Sequence, residues 1–274
     1  MTETHAEDRL DSGQYWQSWS GEAPAGLVIV VHGVHEHGGR YSAVAERLVA
    51  AGYDVYAVDH PGHGRSPGKR GNITSMAAAV DGVDALTRLA AERVPDVPVF
   101  VFGHSLGGLI ALQYLTGKPA GRVRGGVISA PALDTSAATT VQKRLAPMVS
   151  ALAPNLGMLA LDLEAISRDP EVVRAYRADP LNYLGKMTAR TGTELMLTAT
   201  AMPSRLPGLT LPLFVLHGGA DRLVPPAAAD VVREHVGSPD VTFKIYEGLY
   251  HEPHNEPERD QVLADIVSWL DAHR

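Results

Sequence analysis

The chain has 274 residues, 45% hydrophobic and 20% charged, enough to bury one large core in an ordinary globular domain. A formal net charge of −7 argues against a general nucleic-acid partner, because neutralising phosphates needs clustered Lys and Arg. There is no cysteine, which excludes disulfides, thiolate nucleophiles and Cys–zinc sites.

Residues 1–8 lack the basic start and apolar run of a secretory leader. No apolar stretch reaches the ~18 residues of a spanning helix, so a soluble, cytoplasmic protein is expected. Tyr15, Trp16 and Trp19 suggest an edge hairpin whose aromatics pack on a core. From there, short β-branched runs alternate with longer helical patterns. Strands are expected at 27–32, 54–59, 97–103, 123–129, 211–217 and 241–246, and helices at 41–51, 75–93, 107–116, 226–236 and 256–272. Strands that are almost continuously apolar are covered on both faces, so the fold class is α/β with a mostly parallel central sheet flanked by helices.

The alternation stops after Pro131 and resumes at Leu209, too long a gap for a structureless loop. Leu145, Val149, Leu152, Leu156, Leu159 and Leu163 recur at helical spacing, with Pro154 and Gly157 placed to bend or split that helix. Residues 134–207 are therefore expected to form a helical cap inserted between two core segments, 1–133 and 208–274. It would lie over the C-terminal edge of the sheet, where open α/β folds bind ligands.

The strongest local signal is Gly103-His104-Ser105-Leu106-Gly107-Gly108, set between an apolar strand and a helical pattern. A G-x-S-x-G turn in that context is a nucleophile elbow, which projects the serine hydroxyl at a helix N-terminus. A serine needs a base and the base an orienting acid, and in this fold they follow in the order acid, then histidine. Asp221 lies just past one expected strand end and His251 just past the next, with Gly248 supplying a tight turn before it. Asp230 and Asp240 read as solvated charges. His217 reads as a packed histidine and His235 as a helix residue, while His254 stays open as an alternative base. The oxyanion donors are expected to be the N–H groups of Leu106 and, from the loop after the early strand, Val34. The protein itself supplies nucleophile and donors, so no metal or organic cofactor is implied.

These residues resemble the monoacylglycerol lipase family of the α/β-hydrolases. The likeness runs from about Leu27 to the C-terminus, through His32-Gly33-Val34-His35-Glu36-His37-Gly38-Gly39-Arg40-Tyr41, residues 59–66 (DHPGHGRS), the serine elbow, Ser129-Ala130-Pro131, Asp179-Pro180, residues 218–222 and residues 246–251. It implies an α/β-hydrolase fold, hydrolysis of a small lipid, monoacylglycerol, to fatty acid and glycerol, and a cap in peripheral contact with membranes or micelles. It also implies that Glu36, Arg40, Tyr176 and His254 surround the glycerol, although Glu36 and Arg40 suit an ion pair bracing the oxyanion loop. His35 departs from the family, standing where glycine is common. A lysophospholipase or general carboxylesterase with the same triad remains the first alternative, and a non-catalytic binding protein the second.

Overall fold

The computed structural model describes residues 4–117, 123–134 and 140–274, except for the side chains of 140–143. Along the chain run β1 (Thr4–Arg9), β2 (Tyr15–Ser20), β3 (Gly26–Val31), α1 (Ser42–Ala50), β4 (Tyr53–Val58), α2 (Met76–Arg93), β5 (Val99–His104), α3 (Leu106–Leu115) and β6 (Val123–Ser129). There follow α4 (Thr140–Leu152), β7 (Gly157–Leu159), α5 (Pro170–Ala178), β8 (Met187–Thr188), α6 (Ala189–Arg205), β9 (Leu213–Gly218), α7 (Ala228–His235), β10 (Val241–Tyr246) and α8 (Arg259–Ala272).

Eight strands form one sheet in the order β1-β2-β4-β3-β5-β6-β9-β10. The pairings β1–β2 and β2–β4 are antiparallel, and those among β4, β3, β5, β6, β9 and β10 are parallel. The expected α/β class is borne out. The expected edge hairpin is β1–β2: the exposed β1 forms the rim and the aromatic β2 pairs on both sides. That explains why Tyr15, Trp16 and Trp19 are all buried.

Strand alternation divides the interior into two layers. Leu27, Ile29 and Val31 of β3 join Leu86, Leu109 and Val83 on one face, under α2 and α3. Val28 and Val30 join Leu48, Phe100, Phe102 and Leu263 on the other, under α1 and α8. Element ends differ from the expected ones by one to three residues, the largest at the start of α8.

Between β6 and β9 the chain leaves the sheet. Residues 135–139 of the expected cap lie outside the described residues. Of the two outcomes expected at Pro154 and Gly157, a bent or a split helix, the structure shows the split. Helix α4 ends at Leu152, and the backbone turns at Pro154 into the short β7, which pairs antiparallel with β8. Leu156 and Leu159 therefore lie on no helix, and Leu152 is 81% exposed and Leu159 60% exposed rather than packed. The main helix of the insertion is α6, which the apolar periodicity did not indicate. Among the described residues, no helix is long and apolar enough to cross a membrane.

Candidate active site

Strand β5 delivers Ser105 through a turn in which the serine adopts φ 55°, ψ −120°. This left-handed backbone is rare for a residue bearing a Cβ. Close approach of strand and helix makes it possible: a Cβ on Gly107 would stand 2.0 Å from the Val31 carbonyl oxygen, and one on Gly103 would stand 2.5 Å from that of Gly107. The Ser105 N–H donates to the Ser129 carbonyl on β6 at 2.9 Å, anchoring the turn to the neighbouring strand. Leu106 then opens α3, aiming the helix N-terminus at the serine.

The structure brings the three expected side chains together. His251 Nε2 lies 2.9 Å from Ser105 Oγ, and His251 Nδ1 lies 2.7 Å from Asp221 Oδ2. Ser105, Asp221 and His251 are all buried. Asp221 Oδ1 accepts the N–H groups of Leu223 at 2.8 Å and Val224 at 3.0 Å, and Oδ2 also faces His217 Nε2 at 3.0 Å. Burial alone would push this carboxyl up. The hydrogen bonds from His217 and His251, the His251 charge and the backbone N–H of Val224 outweigh it and hold Asp221 far below the ordinary range. Asp230 and Asp240 are exposed and belong to no part of this chain of contacts.

Gly33, Val34 and Leu106 line a cavity of about 270 Å³ with Ser105 and His251. The loop carrying Val34 is held by Glu36, whose Oε1 accepts the Gly33 N–H at 2.5 Å and the Tyr41 hydroxyl at 2.8 Å. Glu36 pairs with Arg40, and Arg40 reaches across to Glu252 with two hydrogen bonds of 2.8 Å. Glu252, next to the base, was not picked out from the sequence. Burial would raise its carboxyl, but the Arg40 charge and hydrogen bonds pull it down to about 2. Arg40 thus ties the Val34 loop to the His251 loop, and its guanidinium also lies 4.5 Å over the Tyr176 ring.

Of the side chains placed around the glycerol by resemblance, Glu36 and Tyr176 line the cavity. Tyr176 donates its hydroxyl to the His35 carbonyl at 3.1 Å. Arg40 is committed to the two carboxylates. His254 is not in the lining: it is stacked on Tyr41 at 5.2 Å and set edge-on to Phe102 and His104. Its place behind the triad corrects both its expected contact with substrate and its candidacy as base. Burial, only partly offset by Glu252, lowers its imidazole to about 4. His35, the family departure, has φ 66°, and its carbonyl also accepts the Tyr183 N–H at 2.9 Å. Two groups of the β6–β9 insertion thus hold the Val34 loop at one carbonyl.

The cavity lining is mostly apolar, with Leu159, Leu161, Ile166, Leu195 and Leu223 in it, and Glu36, Asp134 and Glu252 are its acidic members. Among the described lining residues there is no lysine or arginine.

Comparison with known proteins agrees with this arrangement. Residues 22–258 match the hydrolase family described as serine aminopeptidase, S33. A monoacylglycerol lipase from Mycolicibacterium smegmatis is 43% identical, over 91% of this chain and 89% of that one. Phospholipase YtpA from Bacillus subtilis is 32% identical, over 93% and 99%. The crystal structure of Paleococcus ferrophilus monoacylglycerol lipase superposes with a TM-score of 0.82 at 31% identity, covering both chains in full.

Proposed function

The chain belongs to the serine aminopeptidase S33 family of α/β-hydrolases, and from that premise we propose that it hydrolyses monoacylglycerols to fatty acid and glycerol through Ser105, His251 and Asp221. The observation that carries the reading is the unbroken run Ser105 Oγ–His251 Nε2 at 2.9 Å and His251 Nδ1–Asp221 Oδ2 at 2.7 Å, on a cavity with an apolar wall.

In the proposed reaction Ser105 attacks the ester carbonyl as His251 takes its proton, and the N–H groups of Val34 and Leu106 receive the oxyanion. His251 then returns the proton to the glycerol oxygen, leaving an acyl-enzyme. Water, activated by the same imidazole, releases the fatty acid. Asp221 holds the imidazole in the tautomer with its proton on Nδ1 and stabilises the cation formed at each step.

Charge chooses among the substrates available to such a site. A lysophospholipid would bring a phosphate to a lining that, among the described residues, has no lysine or arginine, while the adjoining Arg40 is committed to Glu36 and Glu252. An aminopeptidase must hold a substrate ammonium, yet Glu36 and Glu252 are both already paired with Arg40. A neutral polyol meets neither obstacle. The named activities of the mycobacterial and Paleococcus relatives support the same choice.

We assign residues 134–207 as a cap over the core formed by 1–133 and 208–274. Leu145, Met148, Leu152, Leu156, Met158 and Leu159 are exposed there. An apolar patch confined to the insertion above the cavity is suited to resting on a lipid surface.

The test is turnover of long-chain monoacylglycerol, lysophosphatidylcholine, acetate esters and aminoacyl anilides by one preparation, with Ser105→Ala as control. Monoacylglycerol should lead, and Ser105→Ala should be inactive and should escape fluorophosphonate labelling. A clear preference for any other class removes the lipase assignment, and an active Ser105→Ala removes the triad.

A further inference from the structure

His217 at the end of β9 is fully buried and takes no part in the steps above. Its Nε2 faces two acceptors, Asp221 Oδ2 at 3.0 Å and the Val224 carbonyl at 2.9 Å. A nitrogen held between a carboxylate and a carbonyl must carry a proton. Nδ1 is buried without a hydrogen-bond partner among the described residues, so the proton-bearing nitrogen is Nε2. The oxygen it touches is the same Oδ2 that receives His251 Nδ1 at 2.7 Å. Oδ1 is meanwhile occupied by two backbone N–H groups.

We propose that His217 is a positioning residue for the acid: its N–H fixes the rotamer of Asp221 and shares Oδ2 with the base, setting how strongly the carboxylate stabilises the His251 cation. Two donors on one oxygen divide its negative charge. With His217 present, Asp221 is held rigidly but its pull on the imidazolium is moderated; without it, the carboxylate is less fixed and its charge is directed at His251 alone. The other groups near the base are His104, with its ring 4.7 Å from that of His251, then His254 behind His104, and Glu252 paired with Arg40. None of them touches Asp221 Oδ2.

The inference rests on the triad reading and fails separately from it. If wild type lacks esterase activity or Ser105→Ala keeps it, the triad is wrong. The inference itself is decided by His217→Leu, which removes the donor, and His217→Gln, which can restore one, in pH profiles of kcat/KM for a soluble ester with melting curves as the folding control. For His217→Leu, kcat should fall about 10–100-fold, the range for losing a group that orients a catalytic one. Its acid limb should move to higher pH by about half a unit or more, because the freed carboxylate favours the imidazolium. His217→Gln should recover most of kcat and return the limb toward wild type. A limb that stays in place in both variants, whatever happens to kcat, overturns the proposal and leaves His217 a packing residue. Should His217→Leu not fold, His217→Ala takes its place as the variant without a donor: a limb moved to higher pH and returned by His217→Gln sustains the proposal, and an unmoved limb overturns it.

Discussion

Ser105 keeps a left-handed backbone because the residues around it leave no room for another path. Gly107 packs its Cα against the Val31 carbonyl, so Gly107→Ala drives a methyl to 2.0 Å from that oxygen. Strand and helix must then separate. The expected result is a lower melting temperature together with a collapse of activity, since the elbow cannot relax without moving the hydroxyl. Asp221→Asn tests a different property, charge at unchanged shape. It should fold, yet lose about four orders of magnitude in kcat through the wrong imidazole tautomer, read by steady-state kinetics alongside a melting curve. At this scale the sequence was legible where chemistry leaves a local mark. The elbow is six consecutive residues, and Asp221 and His251 follow from chain order and strand ends. Glu252 left no such mark, because its partner Arg40 is 212 positions away. His217 was readable as a buried histidine, but its bond to Asp221 depends on how the loop closes after β9.

The loop after β3 and the loop after β10 behave as one unit, since a single guanidinium joins Glu36 on the first to Glu252 on the second. Arg40→Met would leave two buried carboxylates without their cation, a loss of about 3–5 kcal/mol by analogy with broken buried pairs. Urea unfolding would measure it, and a change below 1 kcal/mol would show that the network is not structural. The cap side of the same loop is lighter. Tyr176→Phe removes only the hydroxyl donor on the His35 carbonyl, which still keeps the Tyr183 N–H. A loss of about 1 kcal/mol of transition-state stabilisation, five- to tenfold in kcat, is expected if cap seating sets the Val34 N–H. Elements of the sheet could be read in advance because burial on both faces forces unbroken apolar runs. The insertion could not. Leu145, Leu152, Leu156 and Leu159 are exposed, so their spacing reports no packed face, and α6 is rich in Thr, Ala and Met with Pro203 inside it.

Buried histidines give the whole molecule a proton debt that no single site reveals. His32, His35, His60, His63, His104 and His254 are all held below their ordinary value of 6.5, burial being the leading cause in each. His35 and His60 fall to about 3, and His63 and His254 to about 4. In the unfolded chain each would titrate near 6.5, so between the folded and unfolded values the unfolded state binds more protons. Stability is therefore complete above pH 6.5 and drains as pH falls below it, by up to about 1.4 kcal/mol per pH unit for each histidine. Asp221 and Glu252 carry the same sign, but their contributions, present above their ordinary values of 3.8 and 4.5, are lost only below those values. Asp54 and Asp59, raised by burial, work in the opposite sense. The histidines therefore act first, before any of these carboxylates. Several of them build the floor of the oxyanion loop: His32 Nε2 accepts the His60 N–H at 2.9 Å, and His60 Nε2 faces the His32 carbonyl at 3.1 Å. Melting temperature should drop steeply between pH 6.5 and 5, and His254→Phe should flatten that slope by about 1.4 kcal/mol per pH unit whatever it costs at pH 8. A melting temperature level from pH 7.5 to 5 would mean these imidazoles pick up protons while still folded.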